Sequence, residues 1–282
     1  MMNFKTLFVV LATATTGLNA NPVPQGGNQG SGSGTGPFGP ASYSTEGSLS
    51  SHTLYAPKNI PSGSKLPILI WGNGGCSANG LDFQGFLNEI SSHGVFVISQ
   101  GTPNGRGQTN SGQMKTALDW VFSGSSKYHQ YLEKSRVSVS GMSCGGVEAY
   151  DLAGDSRVGN IGIFNSGLMS PADSQRIAAT IRKPVFFFLG GRGDIAYENG
   201  ERDYRVLPQG TPSWKGNLDV GHGGTYSQPN GGKFGVAAVR FFQWTLRGNA
   251  TASQFFTNDA EATQAGWQVE KKNLNGVQVT PL

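Results

Sequence analysis

Residues 136–150 read Arg136-Val-Ser-Val-Ser-Gly-Met-Ser-Cys-Gly-Gly-Val-Glu-Ala-Tyr150, and this stretch decides the fold. It contains a G-x-S-x-G pattern centred on Ser143, between a β-branched run and a run compatible with a helix. A strand, a tight turn and a helix in this order form a nucleophile elbow, which lifts the serine hydroxyl clear of the sheet edge. Glycines on both sides leave room for the backbone to double back. The segment therefore predicts that Ser143 is a nucleophile.

The motif alone is weak evidence because the chain is rich in glycine, with 43 glycines among 282 residues. At such frequencies the pattern arises by chance about once in every one or two sequences. Here it occurs once and lies outside the Gly/Ser tract. Its place between a strand and a helix therefore carries the inference.

Strand and helix patterns alternate from about residue 48 to the end of the chain. This alternation predicts an α/β fold, with a mostly parallel central sheet and helices on both faces. Reactive groups in such sheets lie in loops beyond the carboxyl ends of the strands. The predicted strands are 50–55, 66–71, 94–99, 137–140, 160–164, 184–189 and a weak one at 217–220, and the predicted helices are 83–90, 114–122, 146–152 and 234–246.

The N-terminal region predicts an exported protein of one domain. Residues 1–20 have a lysine, a short apolar core and a small residue at a cleavage point, as secretory signal peptides do. Residues 21–45 are rich in Gly, Ser and Pro and are expected to be flexible. The remaining residues, 46–282, have the length of one catalytic domain.

The composition narrows the partners that this chain could bind. Charged residues make up 13% of the chain and the formal net charge is +4, with Lys and Arg scattered along the sequence. Nucleic-acid binding therefore has no support. No segment approaches the roughly 18 uninterrupted apolar residues of a membrane helix, so we expect no integral membrane segment. We expect a secreted monomer that acts on a small-molecule or polymeric substrate.

A serine nucleophile needs a histidine base, and the chain has four histidines. His52 and His93 lie at or near the starts of predicted strands, which is the wrong end of a parallel sheet. His129 lies in a polar stretch. His222 follows the last weak strand in a Gly-flanked loop, where an α/β-hydrolase keeps its base. We therefore predict His222 as the base, and a surface loop histidine is the alternative interpretation.

The acid is expected between Ser143 and His222 in chain order. Asp194 follows a buried strand through a Gly-rich turn, which favours it as the acid. Asp219 is the alternative, since it lies close before His222. The oxyanion needs two backbone N–H groups, one from Cys144, the residue after the nucleophile, and one from the loop after strand 66–71. In that loop Asn73 is the preferred donor, with Gly74 as the alternative.

The two cysteines of the chain, Cys76 and Cys144, are predicted to form a disulfide because an exported protein with an even cysteine count favours one. Two buried free thiols are the alternative. The sequence Asn249-Ala-Thr251 is an N-glycosylation sequon, so Asn249 is a candidate modification site.

With these residues placed, the chain resembles the α/β-hydrolase superfamily of serine esterases, close to its dienelactone-hydrolase and polyester-hydrolase (cutinase-like) branch. The similarity spans about residues 45–258. It is carried by the Gly-containing oxyanion loop, the phrase 90–98, the G-x-S-x-G-G elbow, the run Asp194-Ile-Ala196, the Gly-His turn and the aromatic helix around 239–244. Trp71 and Cys144 depart from residues common in that branch. The resemblance implies a Ser143-Asp194-His222 triad with no metal and no organic cofactor.

The resemblance also implies the reaction, which is hydrolysis of a carboxylic ester through an acyl-enzyme. Small, plant-derived and polymeric esters all fit an open cleft without a large lid. Two other functions stay open at this stage. One is a secreted binding protein that uses the same fold without catalysis, and the other is a peptidase or amidase with the same triad.

Overall fold

The computed structural model describes residues 32–282. The predicted signal peptide, residues 1–20, lies outside the described residues, as does the first part of the segment 21–45. Within the described chain, the residues before the predicted domain start at 46 already pack against the domain. Thr35 donates from its backbone N–H and its hydroxyl to the carboxylate of Glu89, at 2.8 and 2.7 Å. The first strand of the sheet begins at Ala41.

A nine-stranded sheet forms the centre of the described chain. In space the strands lie in the order β1-β2-β4-β3-β5-β6-β7-β8-β9. Strands β3 to β8 are parallel neighbours, while β1, β2 and β9 pair antiparallel with the strands beside them. The strands are β1 (Ala41–Ser44), β2 (His52–Pro57), β3 (Leu66–Gly72), β4 (Phe96–Gln100), β5 (Leu132–Met142), β6 (Asn160–Phe164), β7 (Val185–Leu189), β8 (Ser213–Asn217) and β9 (Gln268–Lys272).

Eight α-helices of the described chain connect and cover these strands. They are α1 (Gln84–Ser92), α2 (Ser111–Ser123), α3 (Cys144–Tyr150), α4 (Pro171–Arg176), α5 (Tyr197–Val206), α6 (Gly232–Thr245), α7 (Ala250–Thr257) and α8 (Ala260–Gln264). None of the helices between residues 32 and 282 is both long and apolar enough to cross a membrane.

Hydrophobic cores lie on both faces of the sheet because successive side chains of a strand point to opposite faces. On β3, Ile68 and Ile70 pack with α2, while Leu69 and Trp71 pack with α1 and α6 on the other face. Strand β7 alternates in the same way. Both faces of the central strands are therefore buried, as the continuous apolar runs predicted. The predicted α/β class with helices on both faces is confirmed.

The last strands differ from the prediction. The strand expected at 217–220 is β8, and it lies earlier in the chain, at Ser213–Asn217. Its sequence is polar, but Lys215 is buried between the carboxylates of Glu201 and Glu270, with 2.6 Å to each. A charged residue inside a buried strand hides the apolar pattern on which the prediction depended. The sequence analysis also left out the edge strands β1 and β9, because both are short, mostly polar and only partly buried.

Candidate active site

Five loops of the sheet meet at one edge. The parallel strands β3, β5, β6, β7 and β8 all end there, since their carboxyl ends share an edge. Asn73 follows β3, Ser143 follows β5, Asn165 follows β6, Asp194 lies in the loop after β7 and His222 lies in the loop after β8. The fold thus brings to one place the residues that the sequence placed after separate strands.

Ser143 occupies a strained turn between β5 and α3. Its backbone has φ 51° and ψ −116°, a conformation that residues other than glycine seldom adopt. The turn is held from both sides, since the N–H of Ser143 donates to the carbonyl of Phe164 at 3.0 Å, and Val147 N–H donates back to Ser143. A Cβ atom at Gly145 would collide with the backbone of Gly72. The second glycine of the motif therefore permits close approach of α3 to β3.

Ser143, His222 and Asp194 form a continuous chain of hydrogen bonds. The Oγ of Ser143 lies 2.9 Å from Nε2 of His222, and Nδ1 of His222 lies 2.6 Å from Oδ1 of Asp194. Because an ionised carboxylate can only accept, Nδ1 carries the proton and Nε2 is free to accept from the serine. The geometry supports proton transfer from Ser143 to His222.

The carboxylate of Asp194 is fully buried, while the ring of His222 is 17% exposed. Burial alone would raise the pKa of Asp194, but the hydrogen bonds and charge of His222 oppose it, and the pKa is lowered. Donors from the backbone N–H of Ala196 at 2.8 Å and of Gly190 at 3.1 Å add to this effect. Asp194 therefore stays ionised inside the protein, where it can stabilise an imidazolium.

Asn165 holds this carboxylate in place, and the sequence analysis assigned it no role. Its Nδ2 donates to Oδ2 of Asp194 at 2.9 Å and lies 3.3 Å from the carbonyl of Gly221, next to the base. Its Oδ1 accepts from the hydroxyl of Tyr226 at 2.7 Å. The residue is buried and has φ 42°. An asparagine directly after a buried strand was the signal available, because Asn tolerates this conformation better than most residues.

The other histidines lie apart from this chain of hydrogen bonds. The expectation that His52 lies at the wrong end of the sheet was wrong, because β2 runs antiparallel and His52 pairs with Gln100 at the end of β4. Both ring nitrogens of His52 nevertheless form hydrogen bonds outside the Ser143–His222–Asp194 chain. Nε2 lies 3.0 Å from the carbonyl oxygen of Gln113, and Nδ1 lies 3.0 Å from Oγ of Ser51. Burial lowers the pKa of His52 to about 4. His93 bonds Glu89 at 3.2 Å.

Asp219, the alternative acid, lies against Gly191. Within the described chain, no hydrogen bond joins its carboxylate to His222, whose Nδ1 faces Asp194. The structure therefore brings Asp194, and not Asp219, to the imidazole.

The loop after β3 is fixed against the turn that holds Ser143. The carbonyl of Asn73 accepts from the N–H of Gly145 at 3.1 Å. Its side chain donates to three backbone carbonyls, those of Ser77, Asn79 and Gln100, at 2.9 to 3.1 Å. Neither the N–H of Asn73 nor that of Cys144 has an acceptor among residues 32–282. Both backbone donors are thus left for a bound group, as an oxyanion hole requires.

Cys76 and Cys144 form a disulfide, with 5.2 Å between their Cα atoms. The bond joins the turn after Asn73 to the first residue of α3. These sulfurs and a carboxylate oxygen of Glu148 lie within 4.8 Å of one another. Because the sulfurs are bonded to each other, they offer no thiolate to an ion. The disulfide instead braces the loop against the helix that begins directly after Ser143.

Asn249, the candidate glycosylation site, lies far along the chain from these loops. It is exposed and caps α7, since its Oδ1 accepts from the N–H groups of Thr251 and Ala252 at 2.9 and 3.1 Å. This capping role by itself explains why an asparagine occupies position 249, so glycosylation is not needed to explain it.

Comparison with known proteins adds no assignment. No protein-family model matches the chain, and no curated protein matches it. The geometry of the site therefore carries the functional argument.

Proposed function

We propose that the protein is a secreted serine hydrolase of carboxylic esters that acts through Ser143, His222 and Asp194 and an acyl-enzyme intermediate. The observation that carries the proposal is the unbroken hydrogen-bond chain from Asp194 through His222 to Ser143, at 2.6 and 2.9 Å. Such a chain beside a strained serine is the arrangement that activates a hydroxyl for acyl transfer.

The proposed reaction uses this geometry. His222 takes the proton of Ser143 as the hydroxyl attacks the ester carbonyl, and Asp194 stabilises the resulting imidazolium. The N–H groups of Cys144 and Asn73 bind the oxyanion. His222 then protonates the leaving alcohol. Water, activated by the same base, hydrolyses the acyl-enzyme.

Membership of the α/β-hydrolase superfamily is part of the proposal. The elbow between β5 and α3, the oxyanion loop after β3 and the chain order Ser143, Asp194, His222 support it. Secretion is supported by the leader pattern of residues 1–20 and by the disulfide, which is typical of oxidising compartments.

An apolar rim on the loops at this edge of the sheet favours an ester with apolar parts. We define this rim as Met169, Ile195 and Val220, which are 37%, 70% and 40% exposed. Each lies on a loop that leaves the same sheet edge, and Ile195 directly follows Asp194. Exposed apolar side chains around a catalytic group mark a surface for an apolar ligand. Small aryl esters, plant-derived esters and polymer chains share this character.

A panel of aryl esters of increasing acyl length tests the proposal. We expect turnover by the wild type and none above background by Ser143→Ala, with Ser123→Ala as a matched control on the exposed end of α2. Wild-type rates in Ser143→Ala would exclude Ser143 as the nucleophile.

Two further measurements separate the other functions. An organophosphonate should label the wild type at Ser143, whereas a binding protein without catalysis would stay unlabelled. Aryl esters should be cleaved much faster than the matching anilides. Faster cleavage of the anilides would indicate a peptidase or amidase.

A further inference from the structure

Glu148 is a buried carboxyl group that the proposed mechanism does not use. It lies on α3, four residues after Cys144, and is 1% exposed. One of its oxygens accepts from the hydroxyl of Thr109 at 3.1 Å. The other, Oε2, has no hydrogen-bond partner among the described residues. A carboxylate with a single donor and no cation beside it is costly to bury.

Glu148 closes a ring around the proposed oxyanion loop. The N–H of Thr109 donates to the carbonyl of Cys76 at 2.7 Å, and the disulfide joins Cys76 to Cys144. Cys144 and Glu148 are four residues apart on α3, so they share one face of the helix. The ring therefore links three segments through one covalent bond and two hydrogen bonds. It fixes the turn that follows Asn73.

We propose that Glu148 is a positioning residue that must hold a proton for the oxyanion site to work, and that its ionisation lowers activity on the alkaline side. This inference rests on the proposed function for its effect on turnover. As a neutral acid, Glu148 completes the ring without placing a charge near the reacting atoms.

Ionisation would place a negative charge near the developing oxyanion. Four residues of helix rise separate Glu148 from Cys144, which is about 6 Å along the axis. A carboxylate oxygen of Glu148 lies within 4.8 Å of the Cys144 sulfur. For an assumed separation of about 10 Å between this carboxylate and the oxyanion, and an effective dielectric constant of about 20, the repulsion of two like charges slows the reaction roughly tenfold. The ionised group would also draw water into a packed site, which would loosen the ring.

The surroundings of Glu148 support the neutral form. Burial raises its pKa to about 7, against the side chains of Gln100 and Thr109, which favour the charged form, and the nearby charge of Asp151 raises it further. The other titratable or charged groups on the elements around it lie elsewhere or are compensated. They are Glu133, Lys134 and Arg136 in the first half of β5, where Arg136 binds the carbonyls of Leu246 and Thr280; Lys115 and Asp119 of α2, which pair with each other while Asp119 also pairs with Arg157; His52 of β2, which is neutral; and the triad, which meets α3 at Ser143.

The pH dependence of turnover tests the inference. Wild-type kcat should fall about tenfold above pH 7 as Glu148 ionises. Glu148→Gln keeps the shape and polarity of the neutral acid and should turn the falling limb into a plateau. Thr109→Val removes a donor that favours the carboxylate, so its falling limb should move to higher pH. A falling limb that is unchanged in Glu148→Gln would overturn the proposal.

A measurement without turnover separates this inference from the proposed function. The Glu148 carboxyl can be titrated by ¹³C NMR in Ser143→Ala protein, with Glu148→Gln to assign its signal. We expect the midpoint near pH 7. A midpoint in the ordinary range of glutamate would overturn the inference even if esters are cleaved. If the midpoint lies near pH 7 but the protein cleaves no ester, the raised pKa of Glu148 stands and only the proposed function is refuted.

Discussion

The side-chain amide of Asn165 donates a hydrogen bond of 2.9 Å to Asp194, whose other oxygen accepts from His222 at 2.6 Å. The acid of the proposed triad is thus held by a residue that follows β6, a strand that contributes no member of the triad. This amide fixes the carboxylate that orients the imidazole, together with the N–H groups of Ala196 and Gly190.

Replacement of Asn165 by glycine should lower kcat with little change in KM. Glycine accepts the positive φ of this position, so the variant removes the amide without straining the backbone. A hydrogen bond to a charged group contributes about 1.5 to 3 kcal/mol, which predicts a loss of about 10- to 100-fold. Tyr226→Phe removes only the bond to Asn165 and should have a much smaller effect. Equal kcat in Asn165→Gly and wild type would show that Asp194 needs no such support.

Asp194→Asn should reduce kcat by about 10⁴-fold, because an amide beside Nδ1 favours the wrong tautomer of the base. Asp219→Asn is the matched control, since Asp219 precedes His222 in the same loop but does not contact its ring. It should retain activity within a few-fold of the wild type. Steady-state kinetics on one aryl ester decide between the two carboxylates, and the reverse order of effects would make Asp219 the acid.

Removal of the disulfide should affect both stability and turnover. The bridge spans 68 positions, and closure of such a loop stabilises by about 4 kcal/mol in the chain-entropy model. Cys76→Ala/Cys144→Ala should therefore unfold at lower denaturant concentration and show lower kcat, since the oxyanion loop loses its brace. A reductant should lower the stability of the wild type and leave the double variant unchanged. Alkylation of two thiols in unreduced wild-type protein would contradict the bond itself.

His52 should make the protein less stable in acid. Its pKa is lowered to about 4 in the folded protein, so the unfolded chain binds the proton first as pH falls. Neutral His52 therefore contributes fully to the free energy of unfolding above pH 6.5. This contribution, about 3 kcal/mol, is lost as the pH falls from about 6.5 to about 4. His52→Gln should flatten this part of the curve of unfolding free energy against pH. His129→Gln, an exposed control, should leave it unchanged, and an unaltered slope in His52→Gln would refute the assignment.

The sequence predicted those strands and helices whose hydrophobic pattern agrees with their position in the fold. Strand β6 was placed with its observed bounds, and the central helices were shifted by a few residues at most. Lys215 shows where this reasoning fails, because a buried ion pair is formed only by partners distant in the chain. His52 shows a second limit. Strand direction depends on pairing, so a residue at the start of a strand was assigned to the wrong edge.

For the site, chain order was sufficient to predict Ser143, His222 and Asp194 as residues that meet. Each follows a strand, and the parallel sheet brings strand ends together. Asn165 and Glu148 could not be found in this way. Their roles depend on contacts between side chains of different loops, and the asparagine after β6 signalled only a backbone conformation and not its contact with Asp194.

Because of the disulfide, the bracing of the site depends on the redox conditions of the compartment that holds the chain. In a reducing compartment the thiols of Cys76 and Cys144 stay separate, and the turn after Asn73 is then held to α3 by hydrogen bonds alone. A newly made chain would have its triad but not its full brace. For the proposed secreted hydrolase, oxidation on export would complete the brace, so the producing cell would be shielded from the full proposed activity until the protein leaves it.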